Sequence, residues 1–490
     1  MNKMKKAIVF LFSAFLFTFA GCEKEFLETQ PTDRLSADVI FQSYKGALTA
    51  LDGTYRLMYD WKSNHNEFNQ KAMDLNSDLK GDDMVIYSEG YGWFTGQYGY
   101  EDRDQTRRYT AFIWDYSYDL INNANRIIAN IENVKASEKQ YNYIKGQAHA
   151  IRAFAYFNLV RNYQHTYAGN ENEPGVPLYT EPTTEGNPRA TVAEVYQVIE
   201  DDLTTAISAL NPSNCLTRGE AGRNKSHINQ DVAEGLMARV KLTMEQWGEA
   251  ASYASDAVEN YELYTPGEYT AAGFNNVSAK EWMWGAQINA EHSTIFASFF
   301  SHMDATFFTY AQLGLQKLIN EPLYNAIPNT DVRKDLFLGS AQGPNLPQYN
   351  QMKFLAYDPA SFLGDYLFMR ASEMYLIRAE ALANAGDDAG AQTALENLVS
   401  NRDPGYTTSL TGQALLDEIY LQRRIELWGE GFRWYDIKRR KQPLDRTGGI
   451  HNPALAQEMQ LDAEDEFMIY QIPESELDAN DQINAEDQNP

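Results

Sequence analysis

MYLIRAEALANAGDDAGAQTALENLVS, residues 374–400, reads as one helix, a turn and a second helix. Ala379 and Ala391 stand 12 residues apart, and Leu398 follows seven later. Two antiparallel helices touch most closely where their facing residues are small, so alanines at these points let a hairpin close. An earlier segment has the same rhythm, with Ala238 and Ala250 12 apart and Ala257 after seven more. Helices therefore fit residues 228–244, 249–261, 368–385 and 389–401, as two helix-turn-helix units.

The helical period continues outward from these units. Apolar residues recur at Ile144, Ala148, Ile151, Ala155 and Leu159, one face of a helix. Val195, Ile199, Leu203, Ala206 and Leu210 form another, opened by a capping box of Thr191 with Glu194. Further helices fit 44–60, 110–131 and 412–439. Hairpins of this length and spacing are those of tetratricopeptide repeats, which stack into a curved platform. The expected fold is mainly α, a tetratricopeptide-like helical-repeat platform with a large irregular, loop-rich ligand-binding lobe and a few short strands. The platform takes about 26–60, 110–262 and 366–440. The insertions 61–109 and 262–366 are rich in Gly, Asn, Asp and aromatics, and too long to be mere connections. Glu281 to Ile288 reads as a short strand, and 441–490 as a C-terminal extension ending in a polar tail.

At the start of the chain, Lys3, Lys5 and Lys6 precede an apolar run from Ala7 to Ala20, followed by Gly21 and Cys22. A basic head, short apolar core and small-residue end make residues 1–21 a secretory signal peptide. The core is shorter than the ~20 residues a spanning helix needs. Small residues leading into Cys22 resemble the lipobox of bacterial lipoproteins, although Phe19 stands where Leu is usual. That resemblance implies lipid attachment at Cys22 and anchorage to a membrane through it; with the platform and its two insertions, 22–490 is expected to form a single domain. Lipid attachment at Cys22 also leaves Cys215, the only other cysteine, without a disulfide partner.

A formal charge of −27 argues against nucleic acid and anionic lipid surfaces as partners, while leaving neutral ligands open. The 31 Tyr and 8 Trp exceed what a core is expected to need, which places many rings at the surface. HExxH, Walker and GxSxG motifs are absent, so those metalloprotease, nucleotide and serine-hydrolase templates do not apply. Asp74, Asn76 and Asp78 alternate as in a calcium loop. Gly81 falls at the eighth place and Val85 at the twelfth, so no metal is assigned. No cofactor is expected either.

Four stretches in order, FLETQPTDRLSADVIFQSYKGALTALDGTYRLM (26–58), MYLIRAEALANAGD (374–387), RRIELWGEGFRWYDIKR (423–439) and IPESELDAN (472–480), resemble the SusD/RagB family. The resemblance implies a non-catalytic glycan-binding lipoprotein on the outer face of the outer membrane, delivering cargo to a SusC-like TonB-dependent transporter. The charges of 423–439 are read as pairing within a packed helix, so this hallmark marks the fold rather than the ligand site.

The strongest ligand candidate is Tyr91 to Tyr100, with five aromatics, three glycines and no charge. Flat rings suit the C–H faces of sugars at low rotamer cost, and glycines set those rings at varied angles. Tyr91, Trp93, Phe94, Tyr98 and Tyr100 are expected to contact ligand, with Asp78 and Asp82 at its edge. The family builds its sugar site from both insertions, which adds Trp284, Phe308 and Tyr310. Two rival readings stand beside this one. A surface glycoside hydrolase needs only two well-placed carboxylates among 68 acids, and a helical-repeat scaffold could bind peptide.

Overall fold

The computed structural model describes residues 40–490. The expected signal peptide, Cys22 and the first part of the 26–58 segment lie outside the described residues. Helices of seven residues or more are α1 Tyr44–Arg56, α2 Gln70–Lys80, α3 Arg108–Asn130, α4 Glu138–Tyr163, α5 Val192–Ala209, α6 Gln230–Thr243, α7 Trp247–Val258, α8 Ala371–Asn384, α9 Asp388–Val399, α10 Gly412–Glu426 and α11 Arg433–Arg439. The strands are β1 Met84–Ile86, β2 Pro174–Pro177, β3 Arg189–Thr191, β4 Trp282–Ala286, β5 Lys317–Ile319, β6 Tyr366–Arg370, β7 Leu444–Asp445 and β8 Gln460–Leu461. They pair antiparallel two by two, β1 with β5, β2 with β3, β4 with β6 and β7 with β8. No helix among the described residues is long and apolar enough to cross a membrane.

The repeat reading holds. Helices α3 to α10 pack in sequence order, each on the next, and α7 packs on α8 across the whole 262–366 insertion. Ala238, Ala250, Ala257, Ala379, Ala391 and Leu398 are all fully buried, so the small-residue rhythm marks the helix contacts. Thr191 and Glu194 form the capping box that opens α5, and Ser137 with Gln140 forms another on α4. Each satisfies N–H groups that the first helical turn leaves free.

Two details depart from the sequence reading. The helix expected over 412–439 breaks into α10 and α11, because Gly429 and Gly431 adopt φ of +80° and +92°. Side chains disfavour that region, and a Cβ on Gly429 would sit 2.4 Å from the Phe354 ring. Second, α2 lies inside the 61–109 insertion, where little helical period is visible. Lys71, Asn76, Ser77, Asp78 and Lys80 on it are all buried polar residues, so its buried positions do not stand out as apolar. The tyrosines also depart from expectation. Among the described residues only Tyr87, Tyr91 and Tyr357 are strongly exposed. Many others are interior, with hydroxyls bonded, as Tyr55 donates to Gln147 at 2.7 Å and Tyr109 to the Ala72 carbonyl at 2.9 Å. The C-terminal tail is tied down where Asn489 donates to the carbonyls of Tyr163 and Tyr470 at 2.6 and 2.7 Å.

The hallmark segment closes a buried ionic network. Glu426 accepts from Arg402 at 3.0 Å and Arg333 at 3.2 Å, and pairs with Arg370. Glu430 accepts from Arg370 at 2.7 Å and Lys353 at 2.6 Å. Glu281 joins Arg370 and Arg402 at 2.7 and 2.9 Å, and Asp331 joins Arg333. Four cations thus meet four carboxylates, all buried. This balance allows charge in a dry interior, where an unpaired ion would be costly. It also ties the 262–366 insertion to the repeat helices.

Candidate functional site

Backbone pairing brings the two insertions together. Strand β1 leads into the Tyr91 loop, and β5 follows the turn that carries Tyr310; the two strands pair from Met84↔Ile319 to Ile86↔Lys317. Beyond them the loops touch at two glycines with positive φ, Gly90 at +51° and Gly314 at +113°. A Cβ on Gly314 would lie 3.2 Å from the Gly90 Cα, so glycine permits this approach. The Ser88 hydroxyl donates to the Gly314 carbonyl across the same junction.

The result is a continuous surface of rings around Tyr310. Its neighbours are Tyr91, Trp93, His65 and Phe296, with ring centroids at 5.4, 5.9, 5.7 and 5.0 Å. Trp61 extends the row beyond His65 at 5.8 Å, and Phe308 extends it beyond Phe296 at 6.1 Å. His65 lies nearly parallel to Trp93, and its Nδ1 shares a 2.7 Å hydrogen bond with the Tyr310 hydroxyl. Tyr91 is 65% exposed, Phe308 62% and Trp61 40%, while Trp93 and Tyr310 are partly buried and fix the row from behind. Contiguous exposed aromatics are unusual on a protein surface, which makes this row the candidate ligand face. Glu89, Asn66 and Gln312 lie close to these rings in sequence.

Beneath the rings lies His302, fully buried and within 5.1–5.3 Å of Phe68, Phe94 and Tyr310. Burial holds its imidazole well below the ordinary value, so it is neutral and donates from Nε2 to the His65 carbonyl at 2.8 Å. Burial also pushes the Lys317 amine down to about 7; its Nζ donates to the Leu315 carbonyl at 2.6 Å.

Of the expected contacts, Tyr91, Trp93, Phe308 and Tyr310 come together here. The other six are corrected. Phe94 turns inward between Phe68, Tyr109 and His302. Tyr98 is interior, bonded to His451 at 2.6 Å, and the Tyr100 hydroxyl donates to the Lys80 carbonyl. Arg446 clamps this part of the loop by donating to the carbonyls of Leu79, Gly81 and Tyr98 at 2.7, 3.0 and 2.8 Å. Trp284 sits edge-on to Phe154 and Phe368, both at 5.1 Å, and Trp282 beside it in β4 is buried as well. Asp78 accepts from the N–H groups of Gly431 and Arg433 at 2.8 and 3.2 Å, and burial lifts its carboxyl to about 7. Asp82 pairs with Arg433 and Arg424; burial raises its pKa, but these two cations outweigh that and hold it below the usual range. Each of the six serves the fold. Trp61, His65 and Phe296 belong to the row but escaped sequence reasoning, because each is a single ring outside the Tyr91–Tyr100 run. The one usable signal was an isolated tryptophan in a polar loop.

A separate cleft of about 450 Å³ is lined by Lys62, Trp114, Tyr118, Tyr179, Asp115 and Asp119 among others. Lys62 follows Trp61 in sequence and pairs with Asp119 at 2.8 Å. Among the described residues no cluster of His, Cys, Asp and Glu is arranged to hold a metal ion.

Comparison with known proteins agrees with this architecture. A family model described as "Starch-binding associating with outer membrane" matches residues 25–242, and one described as "SusD family" matches 359–490. The SusD-like protein P2 of Formosa agariphila is 23% identical over 471 residues, 88% of this chain and 90% of its own. A SusD-like carbohydrate binding protein from Bacteroides vulgatus superposes with a TM-score of 0.81 at 27% identity, over 92% of this chain and 99% of that one. A SusD superfamily protein from Bacteroides thetaiotaomicron gives 0.77 at 26% identity, over 91% and 100%. Two SusD-family models match residues 25–242 and 359–490, and the Bacteroides vulgatus structure superposes over 92% of the chain, so this chain belongs to the SusD/RagB family.

Proposed function

We propose that this protein captures a neutral oligo- or polysaccharide on the ring row from Trp61 to Phe308. The observation that carries the reading is the exposed, contiguous row itself, assembled from both insertions by β1, β5 and the Gly90–Gly314 contact. Sugar rings stack their C–H faces on Tyr91, Phe308 and Trp61, while Glu89, Asn66 and Gln312 bond hydroxyls at the rim. The printed name of the Bacteroides vulgatus neighbour, a carbohydrate binding protein, supports the same class of cargo.

Capture without chemistry fits the acids close to the row in sequence. Glu67 pairs with Arg108 at 2.6 Å and Asp60 with Arg56 at 3.2 Å. Lipid attachment at Cys22, a place on the outer face of the outer membrane, and handover to a SusC-like TonB-dependent transporter complete the proposal. The outer-membrane wording of the family model supports the second of these. Affinity electrophoresis of residues 23–490 through gels loaded with single polysaccharides tests the binding step. Retardation by one class of glycan, lost in a Tyr91→Ala/Phe308→Ala double variant, supports capture on the row. Release of shorter sugars from the polymer would instead identify a hydrolase, and no retardation by any glycan would favour a peptide cargo.

A further inference from the structure

The hallmark segment has a second consequence, away from the ring row. Residues of 423–439 help to line a crevice of about 30 Å³ shared with α4, α6 and α8. Five basic side chains line it, Arg161, Arg239, Arg423, Lys438 and Arg439, against one lining acid, Asp436. The nearby acids do not balance them. Asp436 is shared by Arg423 at 2.7 Å and Arg439 at 2.8 Å. Glu380 takes Arg439, and Glu373 takes Arg239 at 2.6 Å. Asp74 is held by Lys71 at 3.2 Å. Arg161 is left with neutral partners, the Asn158 side chain at 2.6 Å and the Phe157 carbonyl at 3.1 Å, between the Phe157 and Tyr435 rings. Lys438 donates to the carbonyls of Arg161 and Gln164. The Nη1 of Arg423, a residue only 4% exposed, has no hydrogen-bond partner among the described residues.

We infer that this crevice is a binding site for one small monovalent anion of about the size of chloride. Charge supplies the first argument: four guanidinium ions, beside a Lys438 amine that burial and then Arg161 push well below its ordinary pKa, face three carboxylates, and an uncompensated buried ion is costly. Geometry supplies the second. A cavity needs roughly 10–15 Å³ to admit one water, so this one accepts a compact ion but not a large oxyanion. The rings of Phe157, Phe432 and Tyr435 form part of its wall. His165 beside it responds to the same field: burial, then the Lys438 charge, pushes its imidazole down to about 4. The bound anion would lock α11 against α4, α6 and α8.

The test compares thermal unfolding of residues 23–490 in chloride, bromide, sulfate and gluconate at one ionic strength. Chloride and bromide should raise Tm saturably over gluconate, by about 3 °C when the site is 100-fold saturated, with sulfate matching gluconate. A crystal grown in bromide should show an anomalous peak in the crevice. Lys438→Met should weaken the chloride response; if that variant does not fold, the bromide peak in the unaltered protein decides. Equal Tm in all four salts, an equal response to sulfate, or a crevice without an anomalous peak overturns the assignment.

Discussion

Replacing Glu426 with Gln keeps the side-chain volume and removes one charge from a closed set of eight. Arg402, Arg370 and Arg333 then share a single carbonyl oxygen where they had a carboxylate, and the buried network carries one excess positive charge. Breaking a buried ion pair from one side costs about 3–5 kcal/mol. Unfolding entropy near 2.1 cal/mol/K per residue, over the roughly 450 residues described, gives ~0.95 kcal/mol/K, so Tm should fall by about 3–5 °C. Scanning calorimetry of Glu426→Gln beside the parent reads this directly. The sign with pH follows from the same contacts. Burial raises the Glu426 pKa, but Arg402, Arg370 and Arg333 outweigh it and hold the carboxyl well below its ordinary value. Its contribution is therefore present above the unfolded value of about 4.3 and is lost as pH falls further, so the two proteins should converge in acid. Glycan affinity should not change. An unaltered Tm would refute the closed network, and lost affinity at full stability would make the hallmark segment part of the ligand site.

Tyr91 is 65% exposed, and a sugar on one ring face would hide ~60 Å² of apolar surface, worth ~1.5 kcal/mol or about tenfold in affinity. Tyr91→Ala should therefore weaken glycan binding about tenfold in titration calorimetry with Tm unchanged, while Tyr118→Ala in the separate cleft stays within about twofold. Gly314→Ala forces a side chain into φ +113° and within 3.2 Å of the Gly90 Cα, so it should lower both Tm and affinity by separating the loops. The Lys317 amine, pushed down to about 7 by burial, binds fewer protons folded than unfolded above that pH. Stability should rise from about pH 7 towards the ordinary lysine value near 10.4, and Lys317→Met should flatten that rise in a Tm-against-pH series.

The platform was legible because helix packing writes itself into sequence locally. Ala379 and Ala391 are small where α8 and α9 meet, and Thr191 with Glu194 announces α5. Helix α2 was not legible, since its buried Lys71, Asn76, Asp78 and Lys80 find partners far away in the chain or among aromatic rings. The turn between α10 and α11 depends on Phe354 and Asp74 crowding two glycines, a contact with no local trace. The aromatic loops led to the ring row but did not show which of their rings project outward. Tyr91 and Tyr98 look alike in sequence; one projects outward, and the other is taken by His451 under the Arg446 clamp. Exposure is set by those distant groups rather than by the ring.

The row from Trp61 to Phe308 is proposed to hold a glycan without cleaving it. Calorimetric titration of residues 23–490 against plant, microbial and host polysaccharides and their oligosaccharides tests it most directly. Saturable binding to one class is expected, about tenfold weaker in Tyr91→Ala, with the titrated sugar recovered intact. Silence across the panel, or binding at full strength in Tyr91→Ala and Phe308→Ala alike, would contradict it.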